Sequence, residues 1–501
     1  MIALARARER VRRACCRGGA IRPAEPAVPM LLMLCVQYLV VTGVVAWLAA
    51  TLLPRLAAAM PPRPRRATGP ALSIYERLLW ICRHPVHRAC HCLGYAICLA
   101  CWPFLRRRTP ALVAAEALTL AGPPHDGRAA EVDSFHMEAL EHQVPDFANW
   151  LPYGPIYPFP KQLANKFKLA AWRHEHPEVA KVDLKLPLWV IGLPRTGSTI
   201  FHKLMSFDDN ARTIRAWELR HPVPPAPRDE WEKDTRFVEF NKGGKLAYAM
   251  HPVMKSIHYV LAADPDECIW GMVDCAEPLH LWGALAQPET YQWYTRRDGG
   301  LVEMYRHYRE LLQVLCSDHG TPVGSHLVLK SPHHTFHLPS IAEAFAAEGP
   351  SVFIWLHRDP SSVVGSCCSM NLHFREYMSA DFESPSAIGR RTLTRLADCI
   401  RKATRDRVAL EQAGHQFIDI LYDEFIADTV GTLKKLYKEL GLNFTSQFAA
   451  RVEAQLAEDK IERSKNKQQG SGHSYSLEMF GLTTADIQRE FDPYVKQFLR
   501  K

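Results

Sequence analysis

The chain has 501 residues, 47% of them hydrophobic and 23% charged, which is room for one large domain with a substantial core and excludes a disordered or fibrous chain. Its net charge of +8 is spread unevenly: residues 1–108 carry seventeen arginines, three glutamates and no lysine, a net +14, so the remainder is −6. The basic balance is therefore a property of the N-terminal part and says nothing for a nucleic-acid surface on the main body, where no nucleic-acid partner is expected. Eight of the 14 cysteines also precede residue 103, and they show no zinc-ligand spacing.

In chain order, residues 1–29 form a basic tail. Met30 to Leu53 is a run of 24 residues without a charge, longer than the roughly 20 needed to cross a bilayer, and is predicted to be a transmembrane helix over 30–53. Seven arginines precede it, and Arg55, Arg63, Arg65 and Arg66 follow it. The positive-inside rule then favours a cytosolic N-terminus and a single-pass type II arrangement. Residues 54–134 read as a basic linker with a membrane-proximal helical segment. Within them Pro61 to Pro70 is an extended proline-arginine stretch, and Leu93 to Leu105, only 13 residues, suits an interfacial helix better than a second crossing. If that piece did cross, the catalytic body would face the cytosol.

The main domain is expected over 135–501, with Leu140 to Phe167 as an irregular lead-in covering a sheet. From Leu186 onward short apolar strands alternate with helices, which predicts a parallel α/β sheet. The first strand is expected from Pro187 to Leu193, a tight loop from Gly192 to Gly197 and a helix from Ser198 to Met205. Later strands are expected at His326 to Ser331, Ser351 to His357 and Gln416 to Tyr422. Helices are expected at Ser384 to Gly414, Val430 to Leu440, Ser446 to Glu458 and Ala485 to Leu499.

The loop after the first strand, GLPRTGST, has a phosphate-loop layout in which backbone N–H groups and a helix N-terminus converge on one point. A Walker loop places lysine before its Ser or Thr, whereas here Ser198 holds that position and the cation has moved to Arg195. Such a loop suits a nucleotide with a single 5′ phosphate group. A second anchor follows the strand SVFIWLH: Arg358-Asp359-Pro360 opens a helix on which Ser366, nearly two turns beyond Asp359, points back toward the strand end. Arg358 and Ser366 could then grip one phosphate between them.

Together, and in this order, the two motifs resemble the 5′-phosphosulfate loop and the 3′-phosphate element of sulfotransferases, which use 3′-phosphoadenosine 5′-phosphosulfate (PAPS). The similarity runs from Leu186 to the C-terminus and is nearer the bacterial-type and Golgi-type branches than the cytosolic one. It implies a P-loop three-layer sandwich with a central parallel sheet, here preceded by an N-terminal membrane-associated helical segment. It implies PAPS as co-substrate, no metal, and donor contacts from Arg195, Thr196, Gly197, Ser198, Thr199, Arg358 and Ser366. Tyr422, in the strand-end element YDEF, is implied near the adenine, and Tyr475, with Lys467 and His473, in a late loop over the nucleotide. A Golgi-type membrane enzyme is the implied setting.

Sulfuryl transfer to a hydroxyl, or to an amine, needs a base and cations around an in-line displacement. Arg195 is assigned to the leaving oxygen and Lys330, at the end of HLVLK, to the sulfonate. For the base, the resemblance favours Glu218, whose structural alternative is a pairing with Arg215 or Arg220. Glu267 follows as a candidate, although Asp264 and Glu267 also have capping-box spacing, and His258 and His221 are further candidates. The His333, His334 and His337 cluster has no partner carboxylate, so no metal is expected there. Trp231, Trp270, Trp282, Tyr291 and Trp293 are available to line an acceptor pocket for a sugar, lipid or small molecule. The rival readings are a P-loop kinase or ATPase and an inactive membrane-tethered scaffold.

Overall fold

The computed structural model describes residues 159–250, 259–272, 301–378, 384–468 and 476–500. The expected membrane span, the linker and the residues Tyr475, His473, His258, Trp282, Tyr291 and Trp293 lie outside these, as does the side chain of Lys467. Among the described residues no helix is long and apolar enough to cross a membrane.

Among the described residues five strands form one all-parallel sheet: β1 (Pro187–Ile191), β2 (Ala211–Thr213), β3 (His326–Lys330), β4 (Val352–His357) and β5 (Gln416–Leu421). Their order is β2-β3-β1-β4-β5, with Val190 opposite Lys330 and Ile191 opposite Trp355. Every residue of β1, β3 and β4 is buried, as a parallel sheet covered on both faces requires. Alternation still divides the faces. Trp189, Ile191, Leu329, Phe353 and Trp355 enter one core, while Leu188, Val190, Val328, Ile354 and Leu356 enter the other. These are the three layers expected from the sequence.

The first core is closed by α1 (Phe159–Glu175), α6 (Val302–Leu315), α7 (Leu338–Ala344), α8 (Pro360–Met378), α9 (Pro385–Gln412) and α13 (Thr484–Tyr494). Helices α2 (Ser198–Met205), α10 (Tyr422–Ala427), α11 (Thr429–Glu439) and α12 (Ser446–Gln468) close the second. Between β2 and α6 lie α3 (Ala216–Arg220), α4 (Thr235–Met250) and the single turn α5 (Ile269–Met272).

Three expectations are corrected here. The lead-in is helical from Phe159, because Ala164, Phe167 and Trp172 fall at helical spacing against the core. Helix α12 runs ten residues past the expected Glu458, to Gln468. The last helix does not run evenly to Leu499: Pro493 sits inside it, and Val495–Leu499 relaxes into a π turn, the response expected where a proline removes a backbone donor.

Candidate active site

Strands β3 and β4 leave β1 on opposite sides, so the crevice at the carboxyl end of β1 is the sheet's topological switch point. The loop there is built by glycine geometry. Gly192 has φ +134° and Gly197 φ +86°, and Arg195 itself is held at φ +71°, a left-handed conformation that a non-glycine residue keeps only when its surroundings enforce it. Two hydroxyls supply part of that enforcement. Thr335 accepts from the Gly192 N–H (2.9 Å) and donates to the Gly192 carbonyl (3.0 Å), and Thr196 donates to the Leu193 carbonyl (2.8 Å). Thr335 lies on the 3₁₀ turn Pro332–Phe336 after β3, and sequence reasoning missed it because only the fold brings that turn beneath the loop.

A Cβ on Gly192 would stand 2.5 Å from the Leu356 carbonyl oxygen, a backbone atom that cannot step aside. Gly192→Ala is therefore expected to destabilise the fold by about 3 kcal/mol, strain and overlap together, seen as a lowered urea midpoint with unchanged slope. Gly441→Ala, also at positive φ (+67°) but facing open space, is expected to cost nearer 1 kcal/mol.

The two expected anchors meet. Arg358 donates from Nη1 to the Arg195 carbonyl (2.8 Å), and Arg195 donates from Nε to the Ser366 hydroxyl (3.0 Å). Tyr422, the first residue after β5, lies beneath the Arg358 guanidinium, 4.1 Å from it to the ring centroid. Its ring also packs on Gly197, leaving only 2.8 Å to where a Cβ would be. Asp359 caps α8 through the Ser362 N–H (2.8 Å), as its sequence position suggests. One residue upstream of Arg358, the buried His357 bonds Asp419 (2.9 Å) and the Tyr494 hydroxyl (3.0 Å), tying the strand end to the C-terminal helix. Burial alone would raise the Asp419 carboxyl, but the His357 and Arg407 hydrogen bonds outweigh it and hold it at about 2.

On the other side of the loop, Lys330 ends β3 with its side chain 1% exposed. Its Nζ donates to Glu267 Oε1 (2.9 Å) and to Thr199 Oγ1 (3.3 Å) on the first turn of α2. Glu267 is carried there by a segment that extends the sheet edge: Ala216 N–H bonds the Asp264 carbonyl, Asp266 N–H that of Ile214 and Cys268 N–H that of Lys330. The capping-box geometry expected from Asp264 and Glu267 is not what forms. Asp264 accepts from the Leu261 N–H (2.8 Å), while Glu267 places its carboxylate on Lys330 and its own N–H on Asp266 (2.7 Å). Asp266 is in turn held by Arg220 at 3.2 Å, whose guanidinium stacks on Trp270 at 3.9 Å.

Glu218 is placed differently from the expectation. It is the third residue of α3, not the end of β2, and its side chain is 3% exposed. Arg212 grips both of its oxygens (2.5 and 3.1 Å), and the Arg215 N–H donates to it as well (2.9 Å). The ion pair that the sequence suggested for Glu218 thus exists, with Arg212 as the partner in place of Arg215 or Arg220. His221 is bonded through its carbonyl to Arg236 (3.1 Å), and Trp231 is buried against Trp217, which removes it from an acceptor pocket. Of the histidine cluster, His334 is buried and bonded to the Tyr305 hydroxyl (2.8 Å).

The crevice thus presents a phosphate loop, an Arg-Ser pair bonded to it and a lysine-carboxylate pair at its far side. Residues 187–446, more than half of the chain, match the model of a family described as the sulfotransferase family. The chain belongs to the sulfotransferase family. Among curated proteins this sulfotransferase is 25% identical over 279 residues to the omega-hydroxy-beta-dihydromenaquinone-9 sulfotransferase Stf3 of Mycobacterium bovis, and equally to that of Mycobacterium tuberculosis. Each alignment covers 54% of this chain and 67% of the relative. Its fold is similar to the crystal structures of sulfotransferase STF9 from Mycobacterium avium and STF1 from Mycobacterium tuberculosis H37Rv. The TM-scores are 0.65 and 0.63 at 22% and 23% identity, over 78% and 77% of this chain and 97% and 99% of theirs.

Proposed function

We propose that this sulfotransferase moves the sulfuryl group of PAPS to an acceptor hydroxyl by in-line displacement. The observation that carries the choice of donor is the pair of hydrogen bonds joining Arg358 and Ser366 to Arg195. A second guanidinium and a hydroxyl thus meet Arg195 of the loop, an arrangement that supports a nucleotide phosphorylated at both 3′ and 5′ positions. Arg195 links the loop to that pair through its Ser366 bond and serves the leaving oxygen. The N–H groups of Thr196, Gly197, Ser198 and Thr199 surround the 5′ phosphosulfate, and Tyr422 flanks the nucleotide.

Lys330 holds the sulfonate as charge develops on it, and Glu267 is the base in preference to Glu218. A base must have an oxygen open to the acceptor. Glu267 retains 20% side-chain exposure beside Lys330, whereas Arg212 occupies both oxygens of Glu218. The acceptor O–H gives its proton to Glu267 as its oxygen bonds to sulfur, and the sulfur–oxygen bond to the 5′ phosphate breaks, leaving adenosine 3′,5′-bisphosphate. An acceptor with a hydroxyl on a largely apolar body fits the omega-hydroxy-beta-dihydromenaquinone-9 for which the Stf3 relatives are named. It also fits a membrane-anchored enzyme, the setting the charge-free stretch Met30 to Leu53 suggests. Protease protection in sealed vesicles tests that anchor and its type II, Golgi-lumenal orientation against the cytosol-facing one.

The donor is tested by thermal protection and by turnover. PAPS and adenosine 3′,5′-bisphosphate are expected to raise the melting temperature, and ATP with Mg²⁺ to leave it nearly unchanged. Arg358→Ala is expected to raise the KM for PAPS about 10- to 100-fold, the loss of a charge-assisted phosphate contact. Protection by ATP alone, or an unchanged KM in that variant, would replace this reading with a kinase-like one.

A further inference from the structure

We propose that His176, Glu178 and His319 form a binding site for Zn²⁺ or a similar transition-metal cation, distinct from the sulfuryl-transfer crevice. His176 caps the 3₁₀ turn Pro177–Lys181 that leads toward β1, with Glu178 as the turn's second residue. His319 lies in the connection between α6 and β3. The two segments run side by side: Gln313 donates to the Ala180 carbonyl (2.9 Å), and Lys185 to that of Gly324 (3.3 Å). The site therefore sits near the amino ends of β1 and β3, whereas the phosphate loop and Lys330 occupy their carboxyl ends.

His176 Nδ1 is 3.3 Å and His319 Nε2 3.0 Å from the same Glu178 oxygen, and one ligand atom from each residue lies within 4.8 Å of the others. Tetrahedral zinc with bonds of about 2.0–2.1 Å needs its ligand atoms about 3.3 Å apart, so the three close on an ion by small side-chain rotations. Trp172 fixes the rings: His176 stacks on it at 4.2 Å and His319 meets it edge-on at 5.8 Å. The ring orientations are thus set by packing as well as by the carboxylate.

Without metal, the same atoms form two N–H donors to one carboxylate oxygen. With metal, each ring offers that nitrogen's lone pair, and the proton resides on the other ring nitrogen. Two imidazoles and one carboxylate favour Zn²⁺ over Mg²⁺ or Ca²⁺, which prefer all-oxygen shells. Glu178 and His319, 58% and 41% exposed, leave the fourth position open to solvent. An ion there would staple the approach to β1 to the approach to β3.

The test uses the full chain, stripped with EDTA and then titrated with ZnCl₂ or MgCl₂ while unfolding is followed. Zinc is expected to raise the melting temperature by a few degrees at a hundredfold excess over its Kd, and magnesium to leave it unchanged. His319→Ala and Glu178→Gln are expected to remove the zinc-dependent rise while the EDTA-treated melting temperature stays close to wild type. Co²⁺ is expected to give a visible d–d absorption in the wild type that is lost in His319→Ala. A zinc response of equal size in both variants, or none in the wild type, would reduce the cluster to a hydrogen-bonded surface triad.

Discussion

Glu267→Gln is expected to lower kcat by about 10²- to 10⁴-fold, the range lost with a general base, while the KM for PAPS changes little. The substitution separates two roles that the 2.9 Å contact with Lys330 leaves superimposed. Glutamine keeps an oxygen to accept from Lys330 Nζ, so a glutamate that only positions the lysine would lose little in the variant. A glutamate that takes the acceptor's proton would lose nearly everything. Glu267→Asp should recover part of the rate, and the wild-type acid limb of the pH–rate profile should vanish in the glutamine variant. A kcat within about threefold of wild type, with that limb intact, would remove Glu267 as the base.

Glu218→Gln is the contrasting case. Removing the charge leaves Arg212 buried at 4% side-chain exposure without its counter-ion, and breaking such a pair costs about 3–5 kcal/mol. The variant should accumulate as unfolded protein, and turnover per folded molecule should stay near wild type. Activity loss in a lysate would therefore implicate Glu218 wrongly unless folded enzyme is counted.

The parts of the site legible in the sequence were those with a local physical cause. Gly192 and Gly197 are spaced by the turn they make, Ser366 is turned back toward the strand end by helical periodicity counted from Asp359, and Lys330 ends an apolar run at a strand's carboxyl edge. Strands β1, β3 and β4 are legible to within one or two residues because both faces are buried and the runs are apolar. Strand β5 is equally legible despite Asp419 and its partly exposed face, and the three-residue β2 is too short to announce itself. What the sequence hid was long-range. Glu267 reaches Lys330 because Cys268 bonds a strand 62 residues later, and nothing near Glu267 announces that bond. Its spacing from Asp264 matches a capping box, but among the described residues the helix that follows it is the single turn Ile269–Met272. Glu218 met its partner across the end of β2, where the count of residues alone could not tell a strand from the helix that follows. Thr335 is an ordinary residue in sequence and becomes part of the loop only through the pairing of β1 with β3.

Lowering the pH from 6.5 to 5 is expected to destabilise the fold by something on the order of 5 kcal/mol, well before carboxylate titration contributes. Imidazoles taken out of water set this window, and His337 joins the three that follow, held well below its ordinary value by burial. Burial, followed by the charges of Lys330 and Arg215, pushes His202 down to about 3. Burial pushes His326 down to about 4 against the opposing pull of Asp208, and it carries His334 well below the ordinary value. Unfolded, each takes a proton near pH 6.5; folded, each refuses it until far lower, so the unfolded state binds more protons throughout the interval and stability falls with pH.

Asp419 has the opposite sense and a separate window. Its depressed value means a contribution that is present above about 3.8 and lost toward about 2, so it cannot produce a loss at pH 5. Urea midpoints measured at pH 7, 6 and 5 should fall steadily, and His202→Leu should flatten the slope by close to one proton. A midpoint constant over that range would mean that these imidazoles gain protons within the fold, and that the packing around α2 and β3 is looser than the contacts at Lys330 require.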